Sequence, residues 1–376
     1  MSATVHELRT PAARLVEVRK PVMSQRWSWA PALALVLIVA GGDPALAHVK
    51  WFAEYDLTRS PMPVGDVFTK FFVCFFLFSV VAIYAFYWVD RYVYRKRILE
   101  DVLVRYTIPE PIAFLIMRCA AAGFFGAVSV YGFTGDAFYL TPELKTDQAW
   151  VPWLQGVMAL CAMHPYTVPL MGLGMIVLYV AAVMQYGIFH LLDYLILVGV
   201  TYYFLASTMD RPGWKKSRYI VLYAATGLTL LWASIEKWGY PEWTFPLFER
   251  DPGLLMGLDP RTYMILAGFV EFNLTFVLLS SASLLSRALA LGLMSVFVLA
   301  IAKFGMIDAI GHLLIIAILA VLVLHGPTEG RNFLVLNGKS LWTEAYFMTG
   351  LYVLAFVLIF TAFYGLHYLA YGHWWC

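Results

Sequence analysis

The chain has 376 residues, of which 61% are hydrophobic and 13% charged, a composition that excludes an ordinary soluble globular protein and predicts a polytopic membrane protein in a lipid bilayer. Its formal net charge is only +2, and its basic residues lie in short loops rather than in tracts. The charge pattern therefore predicts no nucleic-acid partner.

The first 47 residues have the layout of an upstream extension followed by a secretory signal peptide. Arg26 precedes a short apolar run, which is followed by helix-breaking residues and then by small residues up to Ala47. The run is too short to cross a bilayer of ~30 Å, so we expect cleavage after Ala47, with an uncleaved anchor as the alternative. Cleavage would make His48 the first residue of a periplasmic segment, 48–66.

Hydropathy beyond this segment predicts an all-α bundle of about ten transmembrane helices. The apolar segments are 67–89, 112–133, 150–163, 168–186, 188–207, 218–236, 261–281, 286–304, 308–325 and 345–369. The stretch "HPYTVP" between the third and fourth segments indicates either a tight turn or a break in one bent helix. Most basic loop residues fall on one side of these spans, which predicts that the mature N-terminus and the C-terminus are periplasmic in a bacterial inner membrane.

Two stretches of the chain are similar to each other and predict an internal repeat. They are "QYGIFHLLDYLILVGVTYYFL" (185–205) and "KFGMIDAIGHLLIIAILAVLVL" (303–324), with Gly187 aligned to Gly305. Each begins with an aromatic–Gly pair and carries one His and one Asp soon afterwards. The predicted organisation is a first helix with a basic cytoplasmic loop (67–111), two four-helix units (112–207 and 218–326), and a cytoplasmic loop with a last helix (327–376).

The second unit resembles the DoxX-like family of small four-helix membrane proteins. The residues that carry the resemblance are "LLWASIEKWGYPEW" (230–243), "ILAGFVEFNLTFVLL" (265–279), "SRALALGLMSVFVLAIAKFG" (286–305) and "DAIGHLLIIA" (308–317). Glu236 with Lys237, Glu271 and Arg287 are similar to that family's sparse polar pattern. Some members accompany thiosulfate- or quinone-linked oxidoreductases, so the resemblance implies a four-helix fold and a role beside a redox enzyme.

Four polar residues in the apolar segments form two candidate pairs. His190 and Asp193 are three residues apart, and Asp308 and His312 are four apart, so each pair should share a helix face. By the predicted topology both pairs lie near the outer membrane face. An Asp beside a His serves proton transfer, a quinone headgroup or metal ligation, and it serves equally as a structural link between helices.

Two carboxylates are expected to support these pairs. Glu236 should lie at the same level of the membrane, whereas Glu271 sits near the middle of its segment. A carboxylate in that position needs a cationic partner, for which the sequence offers Arg118 or Lys303.

A metal site is the alternative use of the outer histidines. A free N-terminal histidine binds copper through its amino group and imidazole, which leaves room for another nitrogen ligand. His48 would supply the first two donors, and His190, His312 or His367 the third.

These patterns predict a redox accessory or quinone-interacting subunit of the inner membrane, with a membrane or periplasmic redox partner. His190, Asp193, Asp308 and His312 would form its working site, supported by Glu236 and Glu271. Copper binding or transport through His48 and structural anchoring of a partner enzyme are the alternatives. Quinone and copper are therefore both candidate cofactors, and the sequence leaves open whether the chain is itself an enzyme.

Overall fold

The computed structural model describes residues 55–56, 58–209, 211–326 and 334–372, and the regular elements in these ranges are all helical. Eight of the helices are long and apolar enough to cross a membrane, and two shorter apolar helices accompany them. The prediction of an all-α, multi-pass membrane bundle is therefore confirmed. The predicted signal peptide and His48 lie outside the described residues.

The helices follow the predicted apolar segments closely. Their bounds are α1 Val64–Val67, α2 Lys70–Arg95, α3 Glu100–Tyr106, α4 Glu110–Thr134, α5 Trp150–Met163, α6 Val168–Tyr186, α7 Ile188–Leu191, α8 Leu195–Ser207, α9 Pro212–Gly239, α10 Phe245–Arg250, α11 Pro260–Ser280, α12 Leu285–Phe304, α13 Met306–Leu324 and α14 Leu341–Tyr371. Short 3-10 turns follow α7, α9 and α10 at Leu192–Tyr194, Pro241–Thr244 and Pro252–Leu255.

The segment "HPYTVP" forms a tight turn between two separate helices. Helix α5 ends at Met163 and α6 begins at Val168. The Thr167 hydroxyl donates to the Cys161 carbonyl at 2.7 Å, which satisfies one of the carbonyls left open at the end of α5. Of the two alternatives that the sequence left open, the tight turn is the one observed.

The helices form two packed groups. In the first, α4, α5, α6, α8, α9, α11, α12 and α13 each contact the next in this order, and α13 also contacts α4. Helices α2 and α14 form a pair that packs on α11 and α9. One apolar core lies within the first group, and an aromatic-rich core joins α2 and α14 to α9 and α11.

Loops predicted on opposite sides of the membrane lie at opposite ends of the bundle. We call the end of the bundle that contains His190 the His190 end, and the opposite end the Arg91 end. The His190 end carries the loop 135–149 between α4 and α5 and the segment 240–259 between α9 and α11. The Arg91 end carries the α11–α12 connection and the described part of the α13–α14 connection. Which end faces the periplasm stays a prediction.

Gly187 and Gly305 adopt the same unusual backbone conformation at corresponding places in two helical hairpins. Their φ angles are +84° and +80°, in a region that only glycine occupies readily. Each ends one helix with an N–H bond of 2.8 Å to the carbonyl four residues earlier, and the next helix begins at the following residue. The predicted repeat of two four-helix units stays a prediction.

Two buried charged residues, Asp90 and Arg91, connect helices and loops at the Arg91 end of the bundle. Asp90 is fully buried and accepts hydrogen bonds from the Ser283 hydroxyl at 2.6 Å and the Ala282 N–H at 3.1 Å, which ties α2 to the α11–α12 connection. Arg91, also fully buried, donates to Asp90 at 2.6 Å and to the Leu334 carbonyl at 3.1 Å. These contacts explain how two charged residues are accommodated at the end of an apolar helix.

Candidate functional site

Glu143 reaches the membrane bundle from the loop between α4 and α5. Gln155, fully buried on α5, donates to the Phe138 and Tyr139 carbonyls at 2.7 and 2.9 Å and holds this loop against the helices. The Tyr139 N–H donates to the Leu144 carbonyl at 2.9 Å, which closes the loop around Glu143. The Glu143 side chain is thereby fully buried.

His190 forms the centre of the candidate site. Gly187 ends α6, and the chain enters α7 with His190 buried at 4% exposure. Its Nε2 lies 2.6 Å from Glu143 Oε1 and 3.1 Å from the Tyr55 hydroxyl. We refer to Tyr55, Glu143 and His190 as the His190 site. A buried imidazole between a carboxylate and a phenol is suited to proton exchange and to hydrogen bonding with a polar ligand.

A carboxylate bound to His190 is therefore that of Glu143, a residue that the sequence pattern does not single out. Asp193, the predicted partner, lies in the 3-10 turn Leu192–Tyr194 and is buried at 1% exposure. Its predicted pairing with His190 stays a prediction. Glu143 was missed because an acidic residue in a polar loop has the ordinary sequence signature of a solvated side chain.

Asp308 and His312 form the second pair in the way that their spacing predicts. They are four residues apart on α13, and Asp308 Oδ2 lies 3.1 Å from His312 Nδ1. Both side chains are buried, at 0% and 1% exposure, and the Phe297 ring packs 4.8 Å from the imidazole. The two histidine–carboxylate pairs thus belong to different helical hairpins.

Glu271 binds a cation other than the two that the sequence offered. Its carboxylate pairs with Lys237, from the last turns of α9, and Lys237 also lines a small cavity at the His190 end. The predicted partner Arg118 instead donates to the Ala162 carbonyl at 3.0 Å and to the Met163 carbonyl, so it caps the C-terminus of α5. The Lys303 side chain lies outside the described part of the structure.

The remaining supporting carboxylate, Glu236, is half-buried in the last turns of α9. It neighbours Lys237 in the chain, and its carbonyl accepts the Tyr240 N–H at 2.8 Å, which ends the helix. Its predicted support of the two histidine–carboxylate pairs stays a prediction.

His367 lies at the same end of the bundle in a separate hydrogen-bonded pair. It is fully buried on α14, and its Nε2 lies 2.8 Å from the Tyr240 hydroxyl. The Phe189 ring packs 5.1 Å from the His367 ring, one residue before His190 in the chain. Aromatic side chains therefore occupy the space around both histidines.

A metal site is not formed by the part of the chain that the structure describes. Within it, no group of three or more His, Cys, Asp or Glu side chains comes together in a way that would hold a metal ion. The copper hypothesis therefore depends on His48, which is outside the described residues.

No family model matches the chain, and no curated protein or solved structure matches it significantly. The resemblance to the DoxX-like family accordingly stays a prediction.

Proposed function

We propose that the chain is a redox accessory protein of the bacterial inner membrane that binds the headgroup of a quinone or quinol at the His190 site. One observation carries the proposal: a buried imidazole, at one end of a membrane bundle, has a carboxylate at 2.6 Å and a phenol at 3.1 Å on the same nitrogen. A quinone site requires little more than such a group beside an apolar, aromatic space.

The proposed chemistry moves protons through this chain and electrons to another protein. Oxidation of a bound quinol releases protons and electrons in equal number. His190 Nε2 and the Glu143 carboxylate, 2.6 Å apart in the site at the end of the bundle, share one proton position, and together this pair takes up a proton from a quinol hydroxyl. The electrons go to the redox centre of a membrane or periplasmic partner.

The distribution of basic residues predicts which end of the bundle faces the periplasm. Basic residues gather at the Arg91 end, where Arg91, Arg95, Arg218 and Arg287 are held by carbonyls and carboxylates. The positive-inside rule places such an end in the cytoplasm. The His190 site then faces the periplasm, as the predicted signal peptide also requires.

Binding of a tail-free 1,4-benzoquinol to protein in lipid nanodiscs tests this proposal. We expect His190→Gln to weaken binding by about tenfold, the effect of losing one hydrogen bond to a buried polar ligand, and Glu143→Gln to weaken it less, because Glu143 acts through His190. His164→Gln, which changes an exposed histidine in the α5–α6 turn, is the matched control. Thermal unfolding of each variant shows whether the fold is retained.

Equal binding by all these variants would contradict the proposal. His312→Gln in the same assay tests whether the Asp308–His312 pair belongs to the working site. A chain without quinol binding but with about one bound copper would favour metal handling through His48. A chain with neither would favour the structural anchor.

A further inference from the structure

The segment before α2 crosses the His190 end of the bundle as a strap. We use this name for Tyr55, Asp56 and residues 58–67. The Met62 N–H donates to the Gly239 carbonyl at 2.8 Å, and the Tyr364 hydroxyl donates to the Met62 carbonyl at 2.9 Å. The Tyr240 hydroxyl donates to the Arg59 carbonyl at 2.9 Å. The strap is therefore attached to α9 and α14 through its backbone.

Tyr55 extends from the strap into the His190 site. Its hydroxyl lies 3.1 Å from His190 Nε2, and its ring is nearly perpendicular to the imidazole at a centroid distance of 5.6 Å. The Trp243 ring lies 5.5 Å from the Tyr55 ring and stacks at 4.0 Å on Tyr240. The Tyr55 phenol is thus held between an imidazole and an indole.

A phenol and a 1,4-benzoquinol present the same chemical group to His190, namely a hydroxyl on a six-membered aromatic ring. We infer that Tyr55 occupies the position of a quinol ring and that a quinol binds by displacing this side chain. The inference rests on the proposed function. It adds that the headgroup is a 1,4-benzoquinol and that the strap limits its binding to His190. The incoming hydroxyl replaces the Tyr55 hydroxyl on His190 Nε2, so one hydrogen bond is exchanged for an equivalent one.

The strap then lowers the apparent affinity of the site. A protein whose binding position is partly filled by its own side chain binds more weakly, in proportion to the fraction of molecules in which the position is open. The strap also carries Arg59, whose exposed guanidinium lies 3.4 Å from Glu242. Contacts that hold the strap closed therefore keep quinol out, and a partner that lifts it would let quinol in.

Variants of Tyr55 test the inference with the tail-free 1,4-benzoquinol and the full chain in nanodiscs. We expect Tyr55→Phe, which removes the hydroxyl and keeps the ring, to tighten binding about fivefold, and Tyr55→Ala, which removes both, about tenfold or more. Tyr346→Phe, at an exposed tyrosine on the opposite half of α14, is the control and should change nothing. Unchanged or weaker binding by both Tyr55 variants would overturn the inference.

A second measurement reports on the shielding of His190 without any quinol. Diethyl pyrocarbonate modifies accessible imidazoles, and mass spectrometry locates the product. We expect His190 to react several-fold faster in Tyr55→Ala than in the wild type, with exposed His164 reacting equally in both. An equal rate at His190 would also overturn the inference.

The outcomes separate the inference from the proposed function. If wild type binds quinol and His190→Gln binds it more weakly, but Tyr55→Ala binds no more tightly than wild type, the inference alone fails. If no variant binds quinol, the proposed function fails, whatever the reactivity of His190.

Discussion

Glu143 Oε1 lies 2.6 Å from His190 Nε2, although these residues are 47 positions apart in the chain, with helices α5 and α6 between them. A loop outside the apolar segments thus supplies the carboxylate of a buried histidine. The pair links the folding of the loop 135–149 to the formation of the site.

Removal of the Glu143 carboxylate should destabilise the bundle. Glu143→Ala leaves the buried His190 imidazole without this partner, and we expect a loss of about 1–3 kcal/mol in the free energy of unfolding. Glu143→Gln, which keeps a hydrogen-bonding oxygen, should cost less. Thermal unfolding in mild detergent measures both, with Glu249→Ala on the exposed face of α10 as the control. Equal stability of Glu143→Ala and the control would show that the pair contributes nothing to the fold.

Gly187 and Gly305, which each join two successive helices, should be equally sensitive to substitution by alanine. Within the described part of the chain, no atom would obstruct a Cβ at Gly187 or Gly305, so the cost of alanine comes from their positive φ angles. We expect each Gly→Ala change to cost about 1–3 kcal/mol. Gly350→Ala, in the middle of α14 with equally open space and ordinary helical geometry, should be neutral or stabilising by up to about 1 kcal/mol. Thermal unfolding that showed equal stability for the three variants would refute the explanation from the positive φ angles.

Asp90, the buried carboxylate at the Arg91 end, should contribute more to the free energy of unfolding than Glu143 does. Asp90→Ala removes the acceptor of the Ala282 N–H and the Ser283 hydroxyl and leaves Arg91 buried without its carboxylate. We expect a loss of about 3–5 kcal/mol, measured by thermal unfolding. Glu100→Ala, which breaks only a solvent-exposed pair with Arg97, should cost less than about 1 kcal/mol. A similar, small effect of both changes would argue against a structural role for Asp90.

The N-cap of α11 predicts a pH dependence outside the membrane. Hydrogen bonds from Thr262, chiefly from its side chain and then from its backbone N–H, hold the pKa of Asp259 below its usual 3.8. A lowered carboxyl pKa means that the stabilisation is present above pH 3.8 and is lost as the pH falls below that value.

We therefore expect Asp259→Ala to be about 1 kcal/mol less stable than the wild type near neutral pH, with the difference shrinking in acid below the usual carboxyl pKa. Asp259→Asn should retain most of the cap at neutral pH. Chemical unfolding at a series of pH values measures these differences. A difference that grew as the pH fell would contradict this assignment of the cap.

The transmembrane helices were predictable because the bilayer imposes length and apolarity on each span. The Asp308–His312 pair was predictable too, since a spacing of four on one helix brings side chains together in any tertiary arrangement. Both features depend on local sequence alone.

The remaining contacts of the site depend on which elements pack together. Glu271 meets Lys237 because α9 packs against α11, and Arg118 caps α5 because α4 packs against α5. Hydropathy contains no information about either neighbour. The Tyr55 and Glu143 contacts with His190 were missed for the same reason, since each comes from a non-helical segment whose path over the bundle the sequence pattern does not specify.

Photolabelling tests most directly the claim that the His190 site binds a quinone headgroup. Protein in nanodiscs would be irradiated with an azido-benzoquinone, digested, and its labelled peptides identified by mass spectrometry. We predict labelling of the peptides that contain Tyr55, His190 or Trp243, suppressed by excess tail-free benzoquinol and strongly reduced in His190→Gln. Labelling that is spread over the lipid-facing helices, and that neither the competitor nor His190→Gln alters, would contradict the claim.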